Sequence, residues 1–303
     1  MKRRLLTGLI SFGFVLPLLA CGTPTATEDA TTLPPLQVGA IPDQDPEKVQ
    51  RLYEILATYL SETLGVPVTF QPVTDYTAAV IAFKVGDLDL VWFGGLTGVQ
   101  ARLQVPGAEA IAQRDIDAQF HSVFIANANS GLGEITSLEG LAVLKGHSLT
   151  FGSEASTSGR LMPQHFLQQG GVTLEDFKGE PGFSGNHDAT IKLVEAGTYE
   201  VGALNEQVWL SRVEEGAVDL DRVQVIWRTP PYYDYHWVIN PQVRDRYGED
   251  FIERVQAAIL ALDPAVPEHR EILDLFSAEK FIETQNSNYD DIEAIGRAIG
   301  KIQ

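Results

Sequence analysis

Three consecutive hydroxyl residues, Ser156, Thr157 and Ser158, are the strongest chemical signal in this sequence. They follow a short apolar strand predicted over 147–152 and precede a helix predicted to begin near Ser158. The first turn of a helix leaves amide hydrogens unpaired, and the helix dipole adds partial positive charge there. Hydroxyls and free N–H groups that converge on one point can bind a tetrahedral oxyanion. The alternative is an ordinary N-cap, but a cap needs only one such residue.

Two further side chains could donate hydrogen bonds to the same anion. His187 lies in the segment SGNHD at a predicted helix start, and Tyr76 lies in TDY, directly after a predicted strand. Each has a purely structural alternative. Asn186 or Asp188 could cap the first helix, and Tyr76 could be a core residue behind a capping Thr or Asp.

Aromatic residues surround the remaining candidates. Trp92 and Phe93 end a buried strand before two glycines, which would let another part of the backbone approach closely. Tyr233 and Asp234 lie in TPPYYDYHW, where rings would desolvate the carboxylate. Such a carboxylate tolerates an anion only when the ligand brings a donor, either an amine or a P–OH proton. The alternatives are a tight turn over core aromatics and an aspartate that caps a turn.

The elements that would position these residues alternate between strand and helix. The sequence predicts strands at 36–41, 66–70, 88–93, 120–126, 149–151, 201–204 and 223–227, with helices between them and a mostly helical segment from Val243 onward. This order predicts an α/β fold with largely parallel sheets. Two such halves, with a central segment inserted in the first, would hold a ligand in the cleft between them.

The N-terminal region indicates export. Residues 1–20 combine a basic start with a short apolar stretch, as in a signal peptide. The following LLACG resembles the lipobox of bacterial lipoproteins, which predicts lipidation of Cys21; the alternative is a plain secreted protein with one free thiol. Residues 21–35 are small, polar and proline-rich, which predicts a flexible tether. Cys21 is the only cysteine, so no intrachain disulfide can form.

Composition excludes several functions. The formal net charge of −19 argues against binding to nucleic acid or anionic lipid. The sequence contains no G-x-S-x-G, H-E-x-x-H or Walker-type motif, and His121, His147, His165 and His269 have no metal-ligand spacing. We therefore expect neither a metal nor a cofactor. An anion site in so acidic a chain must be built locally, from amides, hydroxyls and a histidine.

Taken together and in order, the lipobox, VGAIPDQDP, TDY, WFGG, SEASTSGRLMP, GNHDA and VIWRTPPYYDYHW resemble the periplasmic phosphate/phosphite/phosphonate-binding proteins of ABC transporters. The resemblance covers essentially all of the predicted mature chain. It implies a type II periplasmic binding fold with two α/β lobes joined by two crossover strands. Lobe 1 would comprise 36–118 and 230–303, and lobe 2 would comprise 119–229.

The resemblance also assigns roles. Ser156, Thr157 and Ser158 would cradle the phosphorus oxyanion, Tyr76 and His187 would add hydrogen bonds, and Asp234 would face the protonated end of the ligand. Trp92, Phe93 and Tyr233 would complete the ligand-binding residues. Aminoalkylphosphonate binders carry a second acid after the strand at 201–204. This chain has Gln207 at the matching position, with Glu206 one residue away.

A small pocket with one carboxylate suits phosphite first, methylphosphonate second and inorganic phosphate third. A one-residue register error at Glu206 would instead favour 2-aminoethylphosphonate. The resemblance implies a monomeric, periplasmic, lipid-anchored partner of an ABC permease and not an enzyme. A receptor-coupled sensor and, less well supported, a transferase on the same fold remain alternatives.

Overall fold

The structure, a computed structural model, describes residues 33–303. The predicted signal peptide, Cys21 and the tether as far as residue 32 lie outside the described residues. Residues 33–35 have no regular secondary structure, and the carbonyl of Pro34 accepts a hydrogen bond from the Tyr247 hydroxyl at 2.9 Å. No helix within 33–303 is both long enough and apolar enough to cross a membrane.

Eleven strands within the described residues form two sheets. The first has the order β11-β4-β10-β3-β1-β2 and the second has the order β7-β6-β8-β5-β9. The strands are β1 (Leu36–Ala40), β2 (Val68–Phe70), β3 (Leu90–Phe93), β4 (Glu109–Arg114), β5 (Ser122–Asn127), β6 (Leu149–Phe151), β7 (Gly182–Phe183), β8 (Val201–Asn205), β9 (Val223–Arg228), β10 (His236–Ile239) and β11 (Phe281–Glu283).

The chain passes between the sheets twice, through two segments that run side by side. One segment connects β4 to β5 and the other connects β9 to β10. Phe120 and Tyr232 pair across them, with reciprocal N–H to C=O hydrogen bonds of 2.8 and 3.0 Å. Nearby, the Asp234 amide donates to the Asp117 carbonyl at 3.1 Å. The two crossings therefore form an antiparallel pair that joins the sheets.

These crossings explain why the prediction of largely parallel sheets is wrong. β1 pairs in parallel with β2 and β3, and β6 pairs in parallel with β7 and β8. However, β10 runs antiparallel to β3 and β4, and β5 runs antiparallel to β8 and β9. Because the crossings are antiparallel, the strands that continue them, β4 with β10 and β5 with β9, must pair in the same way. Hydrophobic periodicity locates strands but does not give their direction.

The helices cover both sheets, and local capping explains where several of them begin. In α1, Asp45 accepts hydrogen bonds from the amides of Glu47 and Lys48, Pro46 occupies the first turn, and Gly65 ends the helix in the left-handed region at φ 69°. The helices are α1 (Pro46–Leu64), α2 (Tyr76–Val85), α3 (Gly95–Gln104), α4 (Met162–Gln169), α5 (His187–Glu195), α6 (Glu206–Glu214), α7 (Val243–Tyr247), α8 (Phe251–Leu260), α9 (Pro267–Phe276) and α10 (Asp290–Ala298).

Four strands were not predicted: β4, β7, β10 and β11. β4 has the sequence EAIAQR, whose alanines and charged ends give little strand signal. β11 interrupts the C-terminal helices for three residues and pairs with β4. The segment predicted as helical near 138–144 is a 3₁₀ helix, Glu139–Leu144. The other predicted strands and helices are present.

Candidate functional site

The three hydroxyl residues lie at the start of a π-helical turn, Thr157–Leu161, that runs directly into α4. Ser156 is an N-cap, since its Oγ accepts the Gly159 amide at 2.9 Å. The Thr157 hydroxyl oxygen accepts the amide of Leu96, on α3 beside the other sheet, at 2.9 Å. Ser158 Oγ is buried and has no partner within the described residues. One residue therefore caps, one joins the two halves, and one is left free to bind.

The amides of the same turn are also available. Thr157 and Ser158 are its first two residues, and their N–H groups have no acceptor among residues 33–303. Both residues are almost completely buried, at 2% and 1% exposure. Buried N–H groups are rarely left unpaired in a native protein. An anion at this point would satisfy them.

Asp234 lies in the second crossing and points at the start of α3. Its Oδ1 accepts the Gly95 amide at 2.9 Å, whereas its Oδ2 is buried without a partner within the described chain. Burial raises the pKa of this carboxyl to about 7, although the Gly95 amide opposes the rise. Oδ2 can therefore accept or share a proton near neutral pH.

Tyr76 begins α2, just after Asp75, whose carboxylate caps that helix by accepting the Ala78 amide at 2.8 Å. The Tyr76 hydroxyl faces Ser156 but has no hydrogen-bond partner of ordinary geometry in the described structure. Burial raises the pKa of this phenol well above its usual value, and nearby Asp43 raises it further. The hydroxyl is therefore a neutral donor.

His187 is fully buried at the start of α5, which Asn186 caps by accepting the Ala189 amide at 2.8 Å. Burial lowers the pKa of His187 to about 4. The neutral ring accepts the Asn205 amide at Nδ1 (3.4 Å), which leaves the proton on Nε2, 3.4 Å from the Tyr235 hydroxyl. His187 is thus a neutral donor whose Nε2 proton lies toward the Tyr235 hydroxyl in the described structure.

Glycines allow these groups to come together. A Cβ placed on Gly94 would lie 3.1 Å from Thr157 Oγ1 and 3.3 Å from Asp234 Oδ1. A Cβ on Gly159 would lie 3.0 Å from Ser156 Oγ and 3.1 Å from His187 Cε1. The start of α3, the second crossing and the hydroxyl turn therefore converge without space for an added methyl group.

Sequence reasoning missed Asp43 and Tyr235. The Tyr235 hydroxyl donates to Asp43 Oδ2 at 2.9 Å and accepts from Asn205 Nδ2 at 3.1 Å. Burial raises the pKa of Asp43 to about 6, although the hydrogen bond from Tyr235 opposes the rise. Asp43 follows β1 at the carboxyl end of a parallel strand pair, and that position was the available signal.

Six of the predicted ligand-binding residues are not brought into this cluster: Ser156, whose hydroxyl caps the turn, and five others. Trp92 stacks on Tyr235 (centroids 5.7 Å apart), and Phe93, on the opposite face of β3, packs against Phe83 (5.8 Å). Tyr233 packs edge-on against Tyr289 at 6.0 Å. The remaining two are Glu206 and Gln207.

Glu206 is engaged elsewhere. Its carboxylate pairs with Arg228 through two hydrogen bonds of 2.5 and 2.8 Å. Gln207 lines a neighbouring cavity that also borders Asp43, Trp92 and Tyr235. We therefore leave Glu206 and Gln207, together with Trp92, Phe93 and Tyr233, out of the residues that we expect to face an anion.

The cluster of Tyr76, Ser158, His187 and Asp234 with the free amides of Thr157 and Ser158 is called the oxyanion cluster below. It offers several neutral donors and a single unpaired carboxyl oxygen on side chains that are all buried. This set can hold a small anion that itself carries one proton. Among residues 33–303, no group of three or more His, Cys, Asp or Glu residues could hold a metal ion.

Comparison with known proteins places the chain among transport proteins. Residues 38–289 match the family described as ABC transporter, phosphonate, periplasmic substrate-binding protein. The chain is 48% identical over 269 residues to the probable ABC transporter phosphite binding protein PhnD1 of Prochlorococcus marinus, covering 88% of this chain and 91% of that protein. It is 23% identical over 232 residues to the phosphate-import protein PhnD of Mycolicibacterium smegmatis, covering 73% and 70%.

Solved structures agree with this placement. PhnD1 of Prochlorococcus marinus in complex with methylphosphonate superposes with a TM-score of 0.87, covering 88% of this chain and 98% of that chain. A binding protein component of an ABC phosphonate transporter from Pseudomonas aeruginosa has a TM-score of 0.72 at 21% identity, over 87% and 85%, and supports the fold alone. The predicted two-lobed periplasmic binding fold is confirmed.

The family assignment also confirms that the protein is a binding protein and not an enzyme. The matched residues, 38–289, include every member of the oxyanion cluster. This chain belongs to the periplasmic substrate-binding proteins of phosphonate ABC transporters.

Proposed function

We propose that this protein captures a small phosphorus oxyanion, with phosphite preferred over methylphosphonate and other phosphonates, and phosphate bound more weakly. The observation that carries the proposal is a set of three buried polar atoms without a partner in the described structure: Asp234 Oδ2, the Tyr76 hydroxyl oxygen and Ser158 Oγ. A buried polar group without a partner is costly. A ligand that satisfies all three removes that cost.

In this proposal the ligand lies at the start of the hydroxyl turn. The amides of Thr157 and Ser158, the hydroxyls of Ser158 and Tyr76, and Nε2 of His187 donate to its unprotonated oxygens. Its P–OH group donates to Asp234 Oδ2. The arrangement places the anionic oxygens on donors and places the proton on the one acceptor, so a fully deprotonated anion would meet an unfavourable carboxylate.

Selectivity against phosphate follows from the third substituent on phosphorus. Phosphite carries P–H and methylphosphonate carries P–CH₃, neither of which needs a hydrogen-bond partner. A hydroxyl at that position would be buried without one, at a cost of about 1–3 kcal/mol, or roughly tenfold to hundredfold in affinity. The names of two relatives support this order, since the relative at 48% identity is named for phosphite and the phosphate-import protein is only 23% identical.

An aminoalkylphosphonate is the alternative ligand, and it needs a carboxylate for its amine. Glu206 is paired with Arg228, and Gln207 is neutral. The oxygen Oδ2 of Asp43 already accepts from Tyr235. These contacts disfavour 2-aminoethylphosphonate.

Capture would proceed by closure of two lobes. Lobe 1 would comprise 36–118 and 230–303, and lobe 2 would comprise 119–229. The division is supported by the sheets, because every strand of the six-stranded sheet lies in the first set and every strand of the five-stranded sheet lies in the second. Hydrogen bonds cross between the lobes beside the cluster, from the Leu96 amide to Thr157 and from the His187 amide to the Asp43 carbonyl (3.0 Å). The described conformation is therefore a closed one.

The cellular context completes the proposal. The protein would be a monomer, anchored at the membrane surface through a lipid on Cys21, and would deliver its ligand to the permease of an ABC importer. Metabolic labelling with a fatty acid tests the anchor, with Cys21→Ala expected to abolish the label. Light scattering of the purified protein tests the monomer.

The experiment that tests the ligand is a calorimetric titration of the protein lacking residues 1–21. Phosphite, methylphosphonate, 2-aminoethylphosphonate and phosphate are titrated separately. We expect phosphite to bind most tightly and phosphate to bind at least tens-fold more weakly. Tightest binding of the aminoalkyl compound would contradict the one-carboxylate site, and no binding of any of the four would overturn the proposed function.

A further inference from the structure

The first two residues of α5 both bond to the segment after β1, on the opposite side of the cleft. The His187 amide donates to the Asp43 carbonyl at 3.0 Å. The carboxylate of the next residue, Asp188, accepts the Asp45 amide at 2.7 Å through Oδ2. His187 is a fully buried member of the oxyanion cluster, whereas the Asp188 side chain is 20% exposed. One helix start therefore carries a ligand-facing residue and a residue that grips the other lobe.

Asp188 is itself held by an arginine of its own lobe. Arg212, on α6, donates to both carboxylate oxygens, with Nε 2.5 Å from Oδ1 and an Nη 3.0 Å from Oδ2. The two side chains are only 20% and 16% exposed, so solvent screens the pair less than a surface ion pair. The carboxylate is thus fixed in the orientation that meets the Asp45 amide.

The contacts continue to a second bridge between the lobes. Arg212 also pairs with Glu215 at 2.6 Å. Lys48, on α1 of the other lobe, reaches Glu215 and Ser211, both at 3.1 Å. Burial alone would raise the pKa of Glu215, but hydrogen bonds from Arg212, Lys48 and Ser211 outweigh it and lower the pKa to about 2. The carboxylate therefore stays charged over the whole physiological range.

We infer that Asp188 is a positioning residue whose ion pair with Arg212 and hydrogen bond to the Asp45 amide latch the closed lobes and so set how slowly ligand leaves. The inference rests on the proposed function, because it concerns release of the captured oxyanion. The hydrogen bonds of the Asp188 carboxylate go to Arg212 and to the Asp45 amide, and none of them goes to a member of the oxyanion cluster. It acts by holding the start of α5, and with it His187, against the segment that contains Asp43.

The hydrogen bond from the Asp45 amide to Asp188 is made only when the lobes close, whereas the ion pair with Arg212 lies within one lobe. Association depends on the open form, where Asp188 and the Asp45 amide are apart. Dissociation requires the closed form to open and break this hydrogen bond. Loss of the latch should therefore raise the dissociation rate and leave the association rate unchanged.

The experiment compares Asp188→Asn and Arg212→Gln with the unmodified protein, with phosphite as probe. Stopped-flow tryptophan fluorescence gives the rate constants, and calorimetry gives Kd. We expect about tenfold faster dissociation in each variant, an association rate within about twofold, and a double variant no faster than either single one.

The matched control is Asp176→Asn. Asp176 also accepts a backbone amide, that of Thr173 at 2.8 Å, and pairs with Lys145 at 3.2 Å, but all of these residues lie in one lobe. This variant tests loss of a capping carboxylate without loss of a contact between lobes. Its dissociation rate should match that of the unmodified protein, even where its melting temperature falls.

The outcomes separate the two proposals. Binding by the unmodified protein with unchanged dissociation in Asp188→Asn and Arg212→Gln would overturn the latch alone. Equal acceleration in Asp176→Asn would also overturn it, because a general loss of stability would then explain the effect. Failure of the unmodified protein to bind phosphite or any of the other three compounds would overturn the proposed function, and the latch with it.

Discussion

The Gly95 amide holds Asp234 by one carboxyl oxygen, Oδ1, at 2.9 Å and leaves the other buried and unpaired. The next amide of the same helix start, that of Leu96, is taken by Thr157 from the opposite lobe. The start of α3 thus fixes the acceptor of the proposed site and binds the turn that supplies its donors. The Gly95–Asp234 contact lies within one lobe, whereas the Leu96–Thr157 contact crosses between the lobes and therefore depends on closure.

The first prediction concerns Asp234→Asn. Asparagine can keep the Gly95 hydrogen bond through its carbonyl oxygen, but it presents an NH₂ group where the P–OH proton of the ligand would bind. We expect phosphite affinity to fall by roughly tenfold to hundredfold, the value of a hydrogen bond to a charged group. Calorimetry measures the change. Asp75→Asn, which alters a helix cap beside Tyr76, is the control and should bind phosphite with nearly unchanged affinity.

The second prediction concerns how the stability of Asp234→Asn, relative to the unmodified protein, depends on pH. The pKa of Asp234 in the folded protein, about 7, lies above the ordinary aspartate value of 3.8, so between these values the folded state holds a proton that the unfolded state has lost. The contribution of Asp234 to the free energy of unfolding therefore falls as pH rises from about 4 to about 7. His187 acts in the opposite direction, since its pKa is lowered to about 4, but it is common to both proteins.

Urea denaturation without ligand should show this difference. The free energy of unfolding of Asp234→Asn, relative to the unmodified protein, should rise with pH from 4 to 7 and then level off, by a few kcal/mol at most. A difference that is independent of pH would mean that Asp234 titrates at its ordinary pKa and is not desolvated.

The third prediction concerns Tyr76→Phe. The Tyr76 hydroxyl is buried without a partner in the described structure, so its removal should leave the ligand-free protein equally stable or slightly more stable. Phosphite would lose one donor, and we expect its affinity to fall by about tenfold. Melting temperature and Kd measured on the same sample distinguish these effects. A large drop in melting temperature with unchanged Kd would assign Tyr76 to the core alone.

Sequence reasoning identified the parts of the site that are contiguous in the chain. Ser158, His187 and Asp234 each lie in a short segment whose composition suggests a local role, either a helix start or a carboxylate among rings. Asp43 and Tyr235 are 192 residues apart, and their hydrogen bond exists only because the second crossing meets the loop after β1. No periodicity or spacing in the sequence encodes that meeting.

Glu206 shows a second limit of reasoning from sequence. It lies one residue before Gln207, the position matched to the second acid of aminoalkylphosphonate binders, so a one-residue register error would have made it the carboxylate for a ligand amine. The sequence did not reveal that Arg228, 22 residues later, would pair with it. The directions of the strands were wrongly predicted for the same reason. The antiparallel crossings depend on contacts between distant segments such as Phe120 with Tyr232, whereas helix limits set by Asp45 and Gly65 were readable locally.

The fourth prediction tests Glu206 directly. Because its carboxylate is paired with Arg228, Glu206→Gln should lower thermal stability by the small amount typical of a partly exposed ion pair and should leave the affinity for phosphite unchanged. Affinity for 2-aminoethylphosphonate should stay equally weak. Calorimetry with both compounds checks this result. Loss of aminoalkyl binding in the variant would restore Glu206 to the ligand-binding residues.

The fifth prediction tests whether closure is needed for tight binding. Gly94 has φ −75° and ψ 165°, which any residue can adopt, so Gly94→Ala adds no backbone strain. Its new methyl carbon would lie 3.1 Å from Thr157 Oγ1 in the other lobe and 3.3 Å from Asp234 Oδ1, tighter than ordinary contact. The lobes should therefore stop short of full closure, and phosphite affinity should fall by at least tenfold while each lobe stays folded. The control is Gly133→Ala, where an added Cβ meets no atom within 4 Å and both affinity and circular dichroism should be unchanged. Unchanged affinity in Gly94→Ala would mean that the ligand is held without this contact between the lobes.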